Sequence, residues 1–309
     1  MSFVNSGRLL CFGATMTLGV GLLAAKPSHS LDAQLTHPLI SAREARPLIE
    51  AGEVDVIDAR DLKVQLWVGH LPGALHLPWR ALTKGKRDGT LIEDHALIRR
   101  LDELGLTPSR PIVIYAGWSS GWGEEARALW SLEYAGHSRV QVIEGGWEAW
   151  REAGGTRAFG RPAQRLKRRT EATQAERLAQ WKTRPELRVT TDEVDGLLRA
   201  GWRALDTRAE REYNGNTPYG SPVGGHLTGA QHLDWSTLLD GARLLGRDAL
   251  LARFKAVGVT PETRSFVYCT GGVRSAFVYL ALRSLGAREV RNYDGSWWAW
   301  SRQLSSSQP

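Results

Sequence analysis

The sequence predicts an α/β protein with two tandem domains, each a small, mainly parallel sheet with helices on both faces. Its 309 residues are enough for two domains of ordinary size. The two halves of the chain also repeat one another along their length. Within each half, short strands that are apolar throughout alternate with helical segments, which is typical of parallel sheets buried on both faces.

The repeat is visible in the order of its short segments. An amphipathic helix ending at a glycine comes first in each half, and a strand closing on Asp-x-Arg follows at Asp58 and at Asp206. The run Gly-His-Leu-x-Gly-Ala then begins at Gly69 and again at Gly225. A buried-type strand comes next, and both halves end in Gly-x-Trp-x-x-Trp. This duplication indicates one fold used twice.

The domain boundaries follow from the repeat, with the first domain at residues 36–155 and the second at 186–305. The segment between them, 156–185, is a basic linker, and residues 151–188 hold eleven Lys or Arg against four Glu. The chain as a whole carries a formal net charge of +7. A basic linker is typical of a solvated connector, so no nucleic-acid partner is predicted, although the charge could also favour acidic substrates or membrane surfaces.

Residues 1–30 have the composition of a secretory signal peptide. Arg8 supplies the basic start, Leu9 to Ala25 is an uncharged apolar run, and small residues precede a cleavage point near Ser30. An uncleaved anchor is the alternative, but the apolar run is short for a bilayer span. We therefore expect an exported protein, in the bacterial periplasm, with no stable membrane association.

Cys269 is the one cysteine left once Cys11 departs with the signal, so no internal disulfide can form. A free cysteine is ordinarily a small buried apolar residue, but the surroundings of Cys269 predict a nucleophile. It ends the central strand of the second half, where ligands bind in open α/β sheets. A loop, Thr270-Gly271-Gly272-Val273-Arg274, leads from it into a helix. Its glycines let backbone N–H groups turn toward the sulfur, while the helix dipole and Arg274 favour the thiolate.

Together these elements resemble the tandem-domain rhodaneses, the thiosulfate and 3-mercaptopyruvate sulfurtransferases. The resemblance covers nearly all of both halves. It implies a sulfurtransferase in which Cys269 takes a sulfane sulfur from a small anionic donor, holds it as a persulfide and passes it to cyanide or a thiol. It also implies that the loop from Thr270 to Arg274 binds the substrate. No cofactor and no metal are predicted, since the paired histidines recur with the same spacing in both halves.

The first half lacks this chemistry because Ala116 stands where Cys269 stands in the second half. From there to the final Gly-x-Trp segment, the first half is also three residues longer. The resemblance implies that such an inactive domain packs against the active one and helps to shape its cleft. Trp118 and Trp122 are candidates for the wall of that cleft, with core or interface packing as the alternative.

The sequence does not identify the sulfur donor, because the chain departs from the patterns of both the thiosulfate and the 3-mercaptopyruvate enzymes. The two residues after the cysteine, typically basic in thiosulfate enzymes, are Thr270 and Gly271. Glu212 stands where both kinds of enzyme commonly have a substrate-binding arginine. Its neighbour Arg211 is therefore predicted to bind the substrate in its place, and Arg274 is the other candidate for the donor's anionic end.

Two rival functions remain. One is a non-catalytic persulfide carrier or redox-sensing module, which would need the same cysteine. The other is a phosphatase, which the sequence favours less because four residues, not five, separate Cys269 from Arg274 and no histidine precedes the cysteine. An insertion at residues 214–224, absent from the first half, is predicted to be a surface loop, with a place beside the cleft as the alternative.

Overall fold

The computed structural model describes residues 37–164 and 171–306, which fall within one compact unit. The predicted signal peptide, residues 1–30, lies outside the described residues, as does the 165–170 part of the basic linker. In the part of the chain that the structure describes, no helix is long and apolar enough to cross a bilayer.

The first domain alternates strands with helices, as predicted. Its strands are β1 (Leu39–Ile40), β2 (Asp55–Asp58), β3 (Leu75–His76), β4 (Thr83–Gly85), β5 (Asp88–Leu91), β6 (Ile112–Tyr115) and β7 (Val140–Ile143). Its helices are α1 (Ala42–Glu50), α2 (Leu62–Val68), α3 (Asp94–Glu103), α4 (Glu124–Tyr134) and α5 (Gly146–Glu152), with 3-10 turns at Trp79–Leu82 and Trp118–Ser120. A short helix, α6 (Gln174–Leu178), lies in the linker.

The second domain repeats this order. Its strands are β8 (Arg188–Val189), β9 (Arg203–Asp206), β10 (Gln231–His232), β11 (Leu239–Asp240), β12 (Arg243–Leu244), β13 (Ser265–Tyr268) and β14 (Val290–Tyr293). Its helices are α7 (Val194–Arg199), α8 (Glu210–Tyr213), α9 (Arg247–Ala256), α10 (Val273–Ser284) and α11 (Ser296–Ser306), with 3-10 turns at Pro185–Leu187, Thr191–Glu193 and Trp235–Leu238.

The two main sheets correspond strand for strand. The first has the order β1-β7-β6-β2-β3 and the second β8-β14-β13-β9-β10, and every pairing within both is parallel. Each domain adds an antiparallel hairpin, β4-β5 or β11-β12. The predicted fold class is confirmed. The middle strands, β6 and β13, are the two that lead into Ala116 and Cys269.

The two domains share a hydrophobic core. One face of each sheet packs on a core of its own domain, through residues such as Val113 and Phe266. The opposite faces contribute to one continuous cluster that spans both domains. Helices α4 and α10 pack against each other within it. Helix α10 also packs on β13 and β14 of its own sheet, so that residues 273–282 are all buried and the helix has no exposed polar face along this stretch.

Candidate active site

Cys269 follows the middle strand β13 and is 2% exposed. The loop after it turns tightly, because Gly272 adopts a left-handed conformation with φ 79° that favours glycine. The backbone N–H of Gly272 donates a hydrogen bond of 3.1 Å to the Cys269 Sγ atom. Helix α10 begins at the next residue, Val273. The sulfur therefore lies at the amino end of a twelve-residue helix, where N–H groups and the helix dipole favour negative charge.

The last segment of the domain holds this loop in place. The Cys269 N–H donates to the Ser296 hydroxyl at 3.1 Å, and that hydroxyl donates to the Tyr293 carbonyl at 2.6 Å. The Trp297 N–H donates to the Cys269 carbonyl at 3.0 Å. In the first domain, the Trp147 N–H donates to the carbonyl of Ala116 at 2.9 Å. The scaffold is thus the same in both domains, and only the second carries a thiol on it.

The surroundings of Cys269 stabilise a thiolate. Burial alone would raise the pKa of the thiol. The charge of Arg274 and hydrogen bonds from the backbone of Ser275 and Gly271 outweigh burial, so the pKa lies below its ordinary value. A lowered pKa is what a nucleophilic cysteine needs near neutral pH.

Arg274 is held in a buried ion pair with Glu212. Its Nη1 atom donates to Glu212 Oε2 at 2.7 Å and its Nη2 atom to Oε1 at 2.9 Å. Thr270 completes the cluster, since its hydroxyl donates to Glu212 Oε1 at 2.6 Å and lies 2.6 Å from Arg274 Nη2. Burial would raise the pKa of Glu212, but the hydrogen bonds and charge of Arg274 hold it below the ordinary value. The guanidinium predicted to bind the donor is therefore engaged by a carboxylate.

Arg211 does not reach the site. It lies exposed on the short helix α8 and is not among the residues that line the pocket above the sulfur. Its neighbour Glu212 faces inward instead, because the two residues point to different sides of the helix. The geometry thus gives no support to the predicted substrate contact of Arg211. The inward position belongs to Glu212, which stands where the family commonly has a substrate-binding arginine.

A small pocket opens above Cys269. Within the catalytic loop it is lined by Cys269, Thr270, Gly271, Val273 and Arg274. Four other segments complete the lining, which adds Trp79, Arg80, Trp122, Tyr219 and Trp298. The first three belong to the first domain, so the domain without the cysteine forms part of the wall, as the resemblance implied. Tyr219 belongs to the insertion at residues 214–224, which therefore lies beside the pocket.

The two tryptophans singled out in the first domain have different positions. Trp118 is buried and packs edge-on against Phe277 of α10, with ring centroids 5.3 Å apart and an interplanar angle of 73°. It belongs to the interface between the domains. Trp122 is 44% exposed and lines the pocket. The longer loop after Ala116 is what allows Trp122 to reach the other domain's site.

The family of the chain follows from comparison with known sequences. The family model for the rhodanese-like domain matches twice, over residues 41–153 and 190–303. The chain belongs to the rhodanese family. The two matches fall on the two halves of the repeat, so both domains are rhodanese-like, and the predicted family is confirmed.

Curated relatives of this rhodanese extend over nearly the whole chain. A thiosulfate sulfurtransferase of Corynebacterium glutamicum is 27% identical over 284 residues, 88% of this chain and 90% of the relative. The sulfur carrier protein TtuD of Thermus thermophilus is 26% identical over 277 residues, 85% of this chain and 94% of that protein. The name of the first relative supports the predicted class of enzyme, a sulfurtransferase.

A solved structure of the same fold is that of SseA from Escherichia coli, described as a 3-mercaptopyruvate sulfotransferase. It aligns with a TM-score of 0.71 at 24% identity, over 85% of this chain and 99% of SseA. At this level of identity the likeness supports the fold alone. The shared fold therefore extends over most of this chain and nearly all of SseA.

The sequence did not identify Arg127 as a residue of this rhodanese's site. Arg127 lies on α4 of the first domain and is fully buried. It donates to the Gly272 carbonyl at 3.0 Å and to the Gly89 carbonyl at 2.6 Å. Burial lowers its pKa to about 10, against the opposing charges of Asp294 and of the Cys269 thiolate. The available signal was a lone arginine among the apolar residues 126–130 of α4, since a buried charge needs a specific partner.

Trp79, Arg80, Tyr219 and Trp298 were also missed as pocket residues. Each lies far in sequence from the loop, and the tryptophans of a repeat are ordinarily core residues. For Trp298 a signal existed, because the first half has glutamate at the matching position, Glu148. A difference between the two copies at an otherwise matched segment indicates a role specific to one of them.

The Asp-x-Arg and histidine segments that both halves share make structural contacts. Arg208 pairs with Asp206 at 2.5 Å and donates to the Gly225 carbonyl, and Arg60 pairs with Asp58 at 2.6 Å in the inactive domain. The paired histidines each bond a backbone carbonyl; they are His70, His76, His226 and His232. Among the described residues no cluster of His, Cys, Asp or Glu could hold a metal ion.

Proposed function

We propose that this rhodanese transfers sulfane sulfur from an anionic donor to cyanide or a thiol, through a persulfide on Cys269. The observation that carries the proposal is the position of the Cys269 Sγ atom at the amino end of α10, 3.1 Å from the Gly272 nitrogen. The pKa of the thiol lies below its ordinary value there, despite burial. A thiolate that is both buried and stabilised by fixed N–H groups is suited to nucleophilic attack.

With thiosulfate as donor, the Cys269 thiolate attacks the outer sulfur atom. A new S–S bond forms, the S–S bond of thiosulfate breaks, and sulfite leaves with the bonding electrons. The product is a persulfide anion, whose outer sulfur lies further into the same cradle of N–H groups. Cyanide or a thiolate then attacks that outer sulfur, forming thiocyanate or a new persulfide, and the Cys269 thiolate leaves. No electrons are required from outside the two reactants.

The donor is thiosulfate or 3-mercaptopyruvate in this proposal. The curated relative from Corynebacterium glutamicum bears the name of a thiosulfate sulfurtransferase. The positive charge of Arg274 is offset by Glu212, 2.7 Å away. This ion pair argues against a strong preference for thiosulfate. A dianion entering the pocket would meet less net positive charge than a free guanidinium would provide.

The experiment is thiocyanate formation from cyanide, with thiosulfate and with 3-mercaptopyruvate in parallel. Cys269→Ser serves as the blank, because it retains the loop and removes the nucleophile. Turnover with at least one donor, lost in the variant, would support the enzyme and identify its donor class. Equal rates for the wild type and the blank with both donors would contradict it.

A persulfide carrier is the second candidate, favoured by the sulfur carrier protein of Thermus thermophilus among the relatives. It needs the same Cys269 thiolate but no rapid release of sulfur. The two functions differ after a single loading of the protein with a donor. A carrier would retain the mass of one sulfur atom in the presence of cyanide, whereas an enzyme would lose it and be ready for another cycle.

We also propose that the protein is exported, because residues 1–30 have the charge and apolar pattern of a signal peptide. Expression of the full chain in a bacterium, followed by fractionation and N-terminal sequencing, tests this. A periplasmic protein that begins just after Ser30 would support export. A cytoplasmic protein with residues 1–30 intact would contradict it.

A further inference from the structure

Helix α2 of the first domain exposes its apolar residues and buries a polar one. Four of its apolar side chains are 40% to 86% exposed: Val64, Leu66, Trp67 and Val68. Gln65 is fully buried instead, and its Nε2 atom donates to the Arg60 carbonyl at 3.1 Å. A surface helix ordinarily turns its apolar stripe toward the core. This reversed arrangement indicates that the outer face of α2 contacts something other than its own chain.

The linker enlarges this apolar face. Its backbone pairs with the first domain between Ala158 and His70, through N–H···O bonds of 2.8 Å and 2.9 Å. The next residue, Phe159, is 62% exposed, and its ring lies beside the end of α2, since a Cβ atom on Gly69 would be 3.5 Å from the Phe159 Cε1 atom. We call the five exposed side chains the α2 patch; they are Val64, Leu66, Trp67, Val68 and Phe159. A contiguous apolar patch of this kind is typical of an interaction surface.

Basic side chains border the α2 patch. Across residues 61–68 and 157–161, three basic residues oppose one acidic residue, and all four are exposed: Lys63, Arg157, Arg161 and Asp61. Arg157 lies over the Phe159 ring, with its guanidinium carbon 4.8 Å from the ring centroid. Asp61 caps α2 by accepting a hydrogen bond of 2.8 Å from the Lys63 N–H. The α2 patch therefore has an apolar centre and a net positive border.

A second copy of the chain is a poor match for the α2 patch. The five side chains expose a few hundred Å², whereas each partner in a stable complex buries roughly 800 Å². Self-association through this face would also bring Lys63 and Arg157 of both copies close to one another, and like charges at an interface are unfavourable. The positive border is complementary to an anionic occupant.

The shape of the α2 patch favours a membrane surface over a folded acidic protein. The Trp67 indole is 86% exposed, so it projects from the protein instead of lining a groove that would receive a partner's side chain. A projecting indole can enter the headgroup layer of a bilayer, where tryptophan is enriched, without a complementary pocket. The basic residues beside it are attracted to anionic headgroups.

We propose that the α2 patch binds the surface of an anionic lipid bilayer, with Trp67 at the level of the headgroups and with Lys63 and Arg157 facing the lipid phosphates. The contact is peripheral and reversible, because a seven-residue helix is too short to span a bilayer and the patch is small. The patch shares no residue with the pocket above Cys269. Membrane contact is thus separate from the proposed sulfur transfer, and it would hold the active site near a membrane.

The test measures the partition of the full chain onto vesicles of phosphatidylcholine alone and of phosphatidylcholine mixed equally with phosphatidylglycerol. We expect binding to the mixed vesicles to be stronger by about tenfold or more and to weaken with added salt, because the basic border adds electrostatic attraction. With brominated lipid chains, tryptophan fluorescence should be quenched on binding. Residues 1–30 contain no tryptophan, so the quenching reports on the rest of the chain whatever those residues bind.

Variants assign the contact to the α2 patch. Trp67→Ser should remove most of the quenching and weaken binding about tenfold, because it removes the largest exposed apolar side chain of the patch. Lys63→Glu should weaken binding to the mixed vesicles alone. The matched controls are Leu304→Ser and Lys255→Glu, two exposed residues of the second domain, which should behave like the wild type. Thermal unfolding establishes that each variant is folded.

Three results would overturn the proposal. Equal quenching in the wild type and Trp67→Ser would place Trp67 outside the bilayer. A dimer in sedimentation that is lost in Trp67→Ser, without vesicle binding, would make a second copy the occupant. Absence of binding to both kinds of vesicle, with a monomeric protein, would leave a protein partner in its place. None of these results affects thiocyanate formation, so the proposed function is tested independently.

Discussion

The guanidinium of Arg127 in the first domain donates a hydrogen bond of 3.0 Å to the carbonyl of Gly272 in the catalytic loop of the second. Gly272 is also the residue whose N–H bonds the cysteine sulfur, so one peptide segment connects a buried cation of one domain with the nucleophile of the other. The charge of a Cys269 thiolate opposes the effect of burial on the pKa of Arg127, and a buried positive charge near a thiol favours its thiolate form. The first domain thus contacts the catalytic loop as well as lining the pocket.

Replacing Arg127 tests this link. Arg127→Met removes both hydrogen bonds and the charge. The Gly272 carbonyl keeps the hydrogen bond from Asn292 Nδ2 at 3.2 Å, while the Gly89 carbonyl loses its donor, at a cost of about 1–3 kcal/mol in the free energy of unfolding. The apparent pKa of the Cys269 thiol should rise, and thiocyanate formation near neutral pH should fall. Arg127→Lys keeps the charge and should recover part of the pKa shift. The pH dependence of Cys269 alkylation measures it, and an identical profile in all three proteins would mean that Arg127 acts through stability alone.

Glu212 holds Arg274 in an ion pair, and replacing Glu212 with a neutral residue should weaken that pairing. Glu212→Gln removes one buried negative charge near the sulfur while keeping an acceptor for the arginine. We expect a lower pKa for the thiol and a lower KM for thiosulfate, by about threefold to tenfold, because the net local charge becomes more positive. Glu210→Gln, an exposed carboxylate on the same helix, is the control. A raised KM for thiosulfate would show instead that Glu212 is needed to orient the loop.

The pH profile of Cys269 itself gives a third prediction. Its pKa lies below the ordinary value of 9.0, because the charge of Arg274 and nearby backbone N–H groups outweigh burial. The rate of alkylation by iodoacetamide should therefore reach its plateau at a lower pH than that of an ordinary thiol and fall as the pH drops through the lowered pKa. Ultraviolet absorbance of the thiolate provides an independent titration. An apparent pKa at or above 9.0 would contradict the proposed activation.

Gly89 allows the hairpin β4-β5 to lie against the catalytic loop. A Cβ atom at this position would lie 2.1 Å from the Gly271 carbonyl oxygen and 2.5 Å from that of Asp294. Gly89→Ala should thus displace the loop, lower sulfur transfer and destabilise the protein by about 1–3 kcal/mol. Gly85→Ala, in the same hairpin, meets only an ordinary contact of 3.7 Å and should be neutral. Thermal unfolding and thiocyanate assays compare the two, and equal behaviour would contradict the predicted contact.

Much of the fold could be predicted from the sequence because each element occurs in both halves of the repeat. A strand that is ambiguous alone, such as that ending at Tyr115, becomes clear when the matching strand ends at Tyr268. The position of Cys269 at the carboxyl end of a middle strand followed from the same reading. The loop was expected to extend to Arg274, but the helix already begins at Val273, directly after the left-handed Gly272.

The electrostatics of the site could not be predicted in the same way. Arg274 and Glu212 were both identified, but they lie 62 positions apart in the sequence, and no local pattern shows that they pair. The sequence equally suggested Arg211, because adjacent positions on a short helix differ only in the side they face. Trp122 was a candidate for the wall of the pocket, but the positions of Arg127, Trp79 and Tyr219 depend on how the two domains pack, which patterns within one domain do not report.

The loop that follows Ala116 has a consequence for how such a duplicated protein can diverge. Because Ala116 leaves the first copy without a thiol, its loop has no sulfur atom to hold, and this longer loop places Trp122 at the neighbouring pocket. A change of sequence in that loop would alter the lining of the pocket and leave the nucleophile and its N–H groups untouched. In a duplicated protein of this kind, the copy without the nucleophile can vary without loss of the reacting group.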